Sequence, residues 1–305
     1  MDAADIFYFD RQTKKMEKEK VYGRFFLQLL YGDGLLSKVA SSLLLPPLAK
    51  VPFFSQLYGL FQKSRFSRSK VIPFIQEFDV DVAEFLDPVS SFSSFNDFFI
   101  RKLNLTFRPL AQGENVAVLP ADARYLVYPQ IDMADGFVVK GKKFSLRDLL
   151  QDDALAKRYA NGAMVIARLC PTDYHRFHFP CSGTPGTTRL INGPLYSVNP
   201  LALKKNIEIL SENKRVITEI DSKAFGKVLY IEVGATNVGS ISQTYSPGVF
   251  CPKGAEKGYF SFGGSSLIVL FEQNTISFDA DLVEQSAKKI EVRALFGQSL
   301  GRSVR

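Results

Sequence analysis

The sequence predicts an α+β fold, in which a β-rich core carries amphipathic helices at its N-terminal end. Apolar residues make up 46% of the 305-residue chain, as in a globular protein with an ordinary core. After residue 72, short β-like runs are separated by turn signals, and strands and helices do not alternate regularly. Before residue 73, apolar residues recur at helical spacing.

Four short apolar runs carry the strand prediction. They are residues 163–169, 227–235, 266–271 and 275–280. Ser145 is a candidate N-cap for a helix that begins with residues 145–150, and we expect that helix to continue near residues 152–160.

The positive charge of the chain is concentrated in residues 20–72. This segment has eight Lys or Arg residues and a single acid, Asp33, whereas residues 1–19 carry four basic and five acidic residues. A nucleic-acid-binding protein usually spreads its positive patch over the folded domain. The sequence therefore predicts no nucleic-acid partner.

Apolar residues at helical spacing accompany this charge. Prolines at 46, 47 and 52 argue against a membrane-spanning helix, but a one-faced helix is expected over 51–62, beside the basic cluster at 63–70. Such helices lie on anionic membrane surfaces. We expect residues 1–72 to form a membrane-associating helical segment and residues 73–305 a separate domain. Packing of the same apolar stripes on the protein's own core is the alternative.

The cysteines and the N-terminus indicate the compartment. Three cysteines without a CxxC pair predict no disulfide framework and a reducing environment. The first ten residues include three aspartates and no apolar stretch that follows basic residues. We therefore expect neither a secretory signal nor a transit peptide.

The chain has two histidines, His175 and His178, and both lie in the stretch CPTDYHRFHFP. Acid–base chemistry near neutral pH would have to use one of them. A metal site is one alternative, but it needs further ligands, and we predict no metal. The second alternative is a pair of histidines that only make structural hydrogen bonds.

The stretch YFSFGGSSLIVLF interrupts an apolar strand at residues 263–266. A serine hydroxyl can attack the carbonyl of the preceding residue, and glycine there leaves the carbonyl open. The resulting ester can break by β-elimination and leave dehydroalanine, which hydrolyses to an N-terminal pyruvoyl group, a ketone that forms Schiff bases with amines. Gly264–Ser265 is the candidate bond, and Ser266 is the rival nucleophile, whose target carbonyl belongs to Ser265.

Four ordered motifs, FNDFFIRKLNLTFRPL, LPADARYLVYP, CPTDYHRFHFP and FGGSSLIVLF, resemble the pyruvoyl-dependent phosphatidylserine decarboxylases. The resemblance covers most of the chain, including VYGR, GPLYSVNP and IEVGATNVGS. Three positions, in two of the motifs, depart from the family pattern. This chain has Gly-Gly-Ser-Ser where many members have Leu-Gly-Ser-Thr, and Ala123 stands after Asp122 where the family often has Gly.

The resemblance implies a zymogen that cleaves itself after Gly264 into a beta chain, 1–264, and an alpha chain, 265–305. Ser265 would be the nucleophile and the source of the pyruvoyl cofactor. His178 would be the base that activates Ser265, and Asp122 would orient His178, with Asp173 as the rival orienting residue. His175 would serve the decarboxylation step.

The resemblance further implies a lyase of phospholipid biosynthesis. It would convert phosphatidylserine to phosphatidylethanolamine through a Schiff base with the pyruvoyl group at Ser265. The expected partner is an anionic bilayer, the expected location is the cytoplasmic face of a bacterial inner membrane, and a homodimer is left open. The alternatives are a pyruvoyl-dependent decarboxylase of another amino acid, an uncleaved Ser-His-Asp lipid hydrolase and a lipid-binding protein without catalysis.

Overall fold

The computed structural model of the chain describes residues 5–32, 34, 37–39, 42–43, 52–131, 145–235, 240–263 and 265–305. The described α-helices are α1 Arg24–Tyr31, α2 Pro52–Lys63, α3 Val71–Phe78, α4 Phe95–Phe99, α5 Leu146–Leu150, α6 Asp153–Tyr159, α7 Pro200–Lys205, α8 Ile209–Glu212 and α9 Ala280–Ala287. Short 3-10 helices span Arg65–Lys70, Val82–Glu84, Val89–Ser91 and Leu105–Phe107.

The described strands are β1 Phe7–Asp10, β2 Lys15–Lys18, β3 Val116–Val118, β4 Ala123–Tyr128, β5 Ala163–Leu169, β6 Arg176–His178, β7 Thr184–Pro185, β8 Arg189–Ile191, β9 Arg215–Ser222, β10 Gly226–Gly234, β11 Ile241–Gln243, β12 Glu256–Phe260, β13 Ser265–Phe271, β14 Ile276–Phe278, β15 Val292–Ala294 and β16 Ser299–Ser303. The predicted α+β class and the helices near the N-terminus are confirmed.

Ten of the described strands form one large sheet. Its order is β2-β1-β15-β4-β5-β13-β10-β9-β7, and β8 also pairs with β9. All neighbours are antiparallel except β1 and β15. Two smaller sheets have the orders β11-β12-β6 and β14-β16-β3. Strand β13 therefore lies in the interior of the large sheet.

The central strands are continuous apolar runs because both faces of the sheet are covered. On β13, the side chains of Leu267 and Val269 join one core, and those of Ile268 and Leu270 join the core on the opposite face. A strand buried on both faces reads as an unbroken apolar run rather than an alternating one. All seven residues of β5 and of β13 are buried, in agreement with the predicted strands at 163–169 and 266–271.

An aromatic cluster lies between the N-terminal helices and the start of β13. Phe262 packs against Phe95 and Phe99, with ring centroids 5.1 and 4.9 Å away. On its other side Phe262 meets Tyr22 at 6.3 Å and Tyr58 of α2 at 5.9 Å. The cluster thus connects α2 with the residues that lead into Ser265.

The N-terminal residues differ from the expected helical segment. Strands β1 and β2 form a hairpin, and β1 pairs with β15 in the large sheet. The physical reason is an alternation in the strand: the side chains of Ile6 and Tyr8 are buried, whereas Phe7 is exposed. Among the helices that the structure describes, none has the length and apolar character needed to cross a membrane.

The helix expected from Ser145 onward is two helices. The Ser145 side chain accepts the N–H of Asp148 and caps α5, as predicted. Gln151 then takes a left-handed conformation with φ of 44°, which ends α5. Asp152 caps α6 by accepting the N–H of Leu155 at 3.0 Å. Asp152 therefore begins a second helix, α6, and α5 does not continue through residues 152–160.

Candidate active site

Ser265 and His175 lie side by side at one end of β13. Ser265 is the first residue of that strand, opposite Leu169 of β5 and Gly234 of β10. Its Oγ lies 3.4 Å from Nδ1 of His175, and both residues are fully buried. A hydroxyl and an imidazole are therefore within hydrogen-bond reach and shielded from water.

The partners of His175 determine which of its nitrogens faces Ser265 unprotonated. Nε2 lies 2.8 Å from the carbonyl oxygen of Cys170. Because a carbonyl only accepts, Nε2 carries the proton and Nδ1 presents its lone pair to Ser265. The ring also stacks on Phe99, with centroids 3.8 Å apart. Burial, together with the charge of Arg101, lowers the pKa of His175 to about 3, so the imidazole is neutral at pH 7.

The loop from Cys170 to His175 is fixed by the carboxylate of Asp173. This carboxylate accepts the backbone N–H of Cys170 at 2.7 Å and pairs with the guanidinium of Arg124. The carbonyl of the same Cys170 holds Nε2 of His175. Asp173 therefore acts on the loop that orients His175, and its hydrogen bonds do not go to either imidazole.

His178 lies on β6 with a different set of partners. Its Nδ1 donates to the carbonyl of Gly254 at 3.0 Å, and its Nε2 lies 3.3 Å from the hydroxyl of Tyr174, which donates to it. The ring stacks on Phe296, with centroids 3.7 Å apart. Burial lowers the pKa of His178 to about 4, so this imidazole is also neutral at pH 7.

Asp122 lies in the turn between β3 and β4, as the sequence predicts. Its carboxylate is held by Arg108, with the shortest contact at 2.8 Å, and it accepts the backbone N–H of Phe296 at 2.8 Å. Arg108 also pairs with Glu84. Phe296 thus connects Asp122 with His178: its N–H binds the carboxylate and its ring covers the imidazole.

The expected Asp122–His178–Ser265 group does not form a continuous chain of hydrogen bonds in this structure. Asp122 bonds to Arg108 and Phe296, and His178 bonds to Gly254 and Tyr174. The histidine beside Ser265 is His175. The structure therefore places His175 beside Ser265, whereas the sequence led us to expect His178 there. The catalytic roles of these residues stay predictions.

The expected scissile bond joins Gly264 to Ser265. Gly264 itself lies outside the described residues. Gly263 has φ of 141°, a backbone conformation that residues with side chains rarely adopt. Ser266, the rival nucleophile, alternates to the opposite face of β13, and its buried Oγ has no hydrogen-bond partner among the residues that the structure describes. Of the two serines, Ser265 is the one whose hydroxyl contacts an imidazole.

The His-x-x-His pair is arranged as an extended strand. Residues Arg176–His178 form β6, and the two imidazoles have separate partners. Within the described ranges, no group of three or more His, Cys, Asp or Glu side chains is placed to hold a metal ion.

Sequence reasoning gave no role to several residues that build this site. Phe99 and Phe296 stack on the two imidazoles, and Tyr174 binds His178. Arg101, buried beside the loop that leads to His175, donates to the carbonyls of Thr172 and Asp173. Phe99 and Arg101 belong to the first of the four motifs. Membership of that motif is the only feature of the sequence that could have pointed to these two residues.

Comparisons with known proteins bear on the family. The model of the phosphatidylserine decarboxylase family matches residues 95–302. The chain is 50% identical to a phosphatidylserine decarboxylase proenzyme of Chlamydia muridarum (strain MoPn / Nigg), over 99% of each chain. It is 48% identical to that of Chlamydia pneumoniae, over 98% of this chain and 97% of the relative. The chain therefore belongs to the phosphatidylserine decarboxylase family.

Proposed function

We propose that this chain decarboxylates phosphatidylserine to phosphatidylethanolamine and carbon dioxide, with Ser265 as the precursor of a pyruvoyl group. The observation that carries the proposal is the buried contact of 3.4 Å between Ser265 and His175 in a member of this family. The pyruvoyl ketone would supply an electron sink through a Schiff base with the substrate amine. The dry surroundings of Ser265 and the neutral imidazole beside it fit such a group.

Self-cleavage would precede decarboxylation. The hydroxyl oxygen of Ser265 attacks the Gly264 carbonyl carbon, its proton passes to a base, and the peptide bond becomes an ester. Loss of the α-proton then breaks the ester bond, releasing chain 1–264 and leaving dehydroalanine at residue 265. Addition of water and loss of ammonia give the ketone at the start of chain 265–305. Every atom needed comes from the chain or from water.

We assign the base in self-cleavage to His178, its orientation to Asp122, and the decarboxylation step to His175. The position of His175 supports its role, because the pyruvoyl group would arise at Ser265, which His175 contacts. Phe296 supplies the link through which Asp122 would hold His178 in place. The same 3.4 Å contact favours one competing assignment, in which His175 is also the base for self-cleavage.

The substrate would be reached from a membrane surface. Exposed apolar and basic side chains follow one another from α2 to the first turn of α3. We call them the α2–α3 surface. They are Leu57, Leu60, Phe61, Lys63, Arg65, Phe66, Arg68 and Ile72. Phe66 is 84% exposed, whereas Tyr58 on the other side of α2 packs on Phe262. Apolar side chains with adjacent cations favour an anionic bilayer.

The membrane-associating part would be residues 20–72 rather than 1–72, because β1 and β2 belong to the large sheet. Residues 73–305 would form the pyruvoyl decarboxylase domain, together with that hairpin. We place the protein at the cytoplasmic face of a bacterial inner membrane, attached peripherally; this surface and the bacterial relatives support the proposal.

The reaction is tested with the purified chain and vesicles of phosphatidylserine. We expect equal amounts of phosphatidylethanolamine and carbon dioxide, and neither product from the Ser265→Ala variant. Release of fatty acid or free serine without carbon dioxide would support the lipid hydrolase instead. Decarboxylation of a free amino acid but not of the lipid would support the other pyruvoyl-dependent class.

A further inference from the structure

Arg101 is a buried arginine that forms no ion pair with a carboxylate of the residues the structure describes. It follows α4, is 5% exposed, and lies between the rings of Phe85 and Phe98. Its Nη atoms reach three main-chain carbonyls at 3.3–3.4 Å, and its Nε has no hydrogen-bond partner. Buried charged groups are normally paired and fully hydrogen-bonded. Arg101 therefore has capacity for an anion.

The other buried arginines that the structure describes are satisfied differently. Arg108, Arg124, Arg168 and Arg176 each pair with at least one carboxylate. Arg215 has no such pair, but it donates to three carbonyls at 2.7–2.8 Å. Among the described residues, Arg101 has no carboxylate pair, and its hydrogen bonds of 3.3–3.4 Å are longer than those of Arg215.

Arg101 is connected to His175 through the neighbouring backbone and through Phe99. It donates to the carbonyls of Thr172 and Asp173, in the loop that leads to His175. Two residues earlier in the chain, Phe99 stacks on the ring of His175. The positive charge of Arg101 also contributes to the low pKa of His175. An anion held by Arg101 would thus lie beside Ser265 and His175.

We propose that Arg101 binds the phosphodiester of the substrate headgroup and thereby positions the headgroup at residue 265. This inference rests on the proposed function, in which the substrate is an anionic phospholipid. The Arg101 guanidinium carries a positive charge, and its Nε–H, which has no partner among the described residues, can donate to a phosphate oxygen.

The phosphodiester is a better ligand for Arg101 than the substrate carboxylate. The carboxylate leaves as neutral carbon dioxide, so an ion pair with it would be stronger in the ground state than in the transition state and would slow the reaction. The phosphodiester keeps its charge from substrate to product. A cation that binds the phosphodiester holds the substrate without opposing the loss of carbon dioxide.

Anion binding is tested on the Ser265→Ala proenzyme, which needs no pyruvoyl group. Inorganic phosphate and acetate are compared at equal ionic strength by thermal unfolding. We expect phosphate to raise the Tm, because a ligand that binds only the folded state stabilises it. The rise should disappear in Ser265→Ala/Arg101→Gln and persist in Ser265→Ala/Arg147→Gln, a control at an exposed arginine. An equal rise in all three proteins, or in none, would overturn the proposal. A rise that depends on Arg101 with acetate but not with phosphate would transfer the role to the carboxylate.

Kinetics of the processed enzyme separate this proposal from the proposed function. Arg101→Gln should release the 41-residue fragment 265–305 as the wild type does. Its kcat/KM on phosphatidylserine should fall about tenfold to a hundredfold, mainly through KM, as expected for loss of a charge-assisted hydrogen bond. Arg101→Lys should recover part of the loss. Unchanged kinetics in Arg101→Gln would overturn the role of Arg101 alone, whereas absence of the fragment from the wild type would overturn the proposed function.

Discussion

His175 Nδ1 lies 3.4 Å from Ser265 Oγ, whereas the second imidazole, His178, binds Tyr174 and Gly254 instead. The two histidines are three residues apart in the chain, yet they face different surroundings because β6 is extended. Each is held by its own carbonyl and covered by its own phenylalanine. This separation allows them to serve different steps.

Replacement of each histidine should separate self-cleavage from decarboxylation. We expect His178→Ala to remain an intact 305-residue chain and His175→Ala to be cleaved. Cleaved His175→Ala should lose decarboxylation by about 10²-fold or more, the usual contribution of a general acid or base. Gel analysis and carbon dioxide release measure the two steps. The reverse result, with His175→Ala uncleaved and His178→Ala cleaved, would assign the base to His175.

The two candidate orienting carboxylates can be distinguished in the same way. Asp122→Asn keeps an oxygen that can accept the N–H of Phe296 but loses the charge facing Arg108. We expect it to slow self-cleavage at least about tenfold, since Asp122 acts beside His178. Asp173→Asn, the matched variant, should be cleaved but poor in decarboxylation, because Asp173 fixes the loop that orients His175. Slow cleavage in Asp173→Asn alone would favour Asp173 as the orienting residue.

The low histidine pKa values predict a pH-dependent stability. An unfolded imidazole binds a proton below about pH 6.5, whereas the folded ones do so only near pH 3 and pH 4. The unfolded state therefore holds more protons as the pH falls below 6.5, and the free energy of unfolding decreases. Each histidine contributes up to about 1.4 kcal/mol per pH unit.

Urea unfolding of the Ser265→Ala proenzyme between pH 7.5 and 5 measures this effect, above the range in which most carboxylates titrate. We expect stability to be full near pH 7.5 and to decline towards pH 5. His178→Gln in the same background should remove about half of the decrease in the free energy of unfolding per pH unit. A free energy of unfolding that is constant over this range would show that the buried imidazoles are not held neutral by the fold.

Membrane binding should depend on the α2–α3 surface. Lys63→Glu/Arg65→Glu/Arg68→Glu should reduce binding to anionic vesicles, because each basic residue near such a surface contributes about 1 kcal/mol. Lys223→Glu/Lys288→Glu/Lys289→Glu changes the net charge equally at exposed residues in another part of the chain. Sedimentation with vesicles measures binding. Equal binding of both triple variants would indicate that the α2–α3 surface does not contact the membrane.

The central strands could be predicted from sequence because burial on both faces leaves an unbroken apolar run, as in residues 163–169. The hairpin of β1 and β2 could not, because it is short and charged, and its pairing with β15 joins residues far apart in the chain. The helix after Ser145 is capped as predicted, but it is not continuous. The pattern of apolar residues does not predict the left-handed conformation of Gln151, which ends this helix.

Within the site, Ser265 and the two histidines could be selected by residue type, since few groups can perform this chemistry. Their mutual contacts could not, because they depend on which side chains occupy each hydrogen-bonding position. Asp122 is held by Arg108, and Nε2 of His178 by Tyr174. The lack of an ion pair between Arg101 and the described carboxylates is likewise a tertiary property, since the sequence contains many acids that could have paired with it.

The mass of the purified chain tests the central claim most directly. If Ser265 attacks the Gly264 carbonyl, the sample contains a fragment of 41 residues, 265–305, whose N-terminus is a ketone that reacts with hydrazine and resists Edman degradation. The Ser265→Ala variant should remain intact, and Ser266→Ala should be cleaved at the same bond. A wild-type chain that stays at its full 34.1 kDa while it decarboxylates phosphatidylserine would contradict the account.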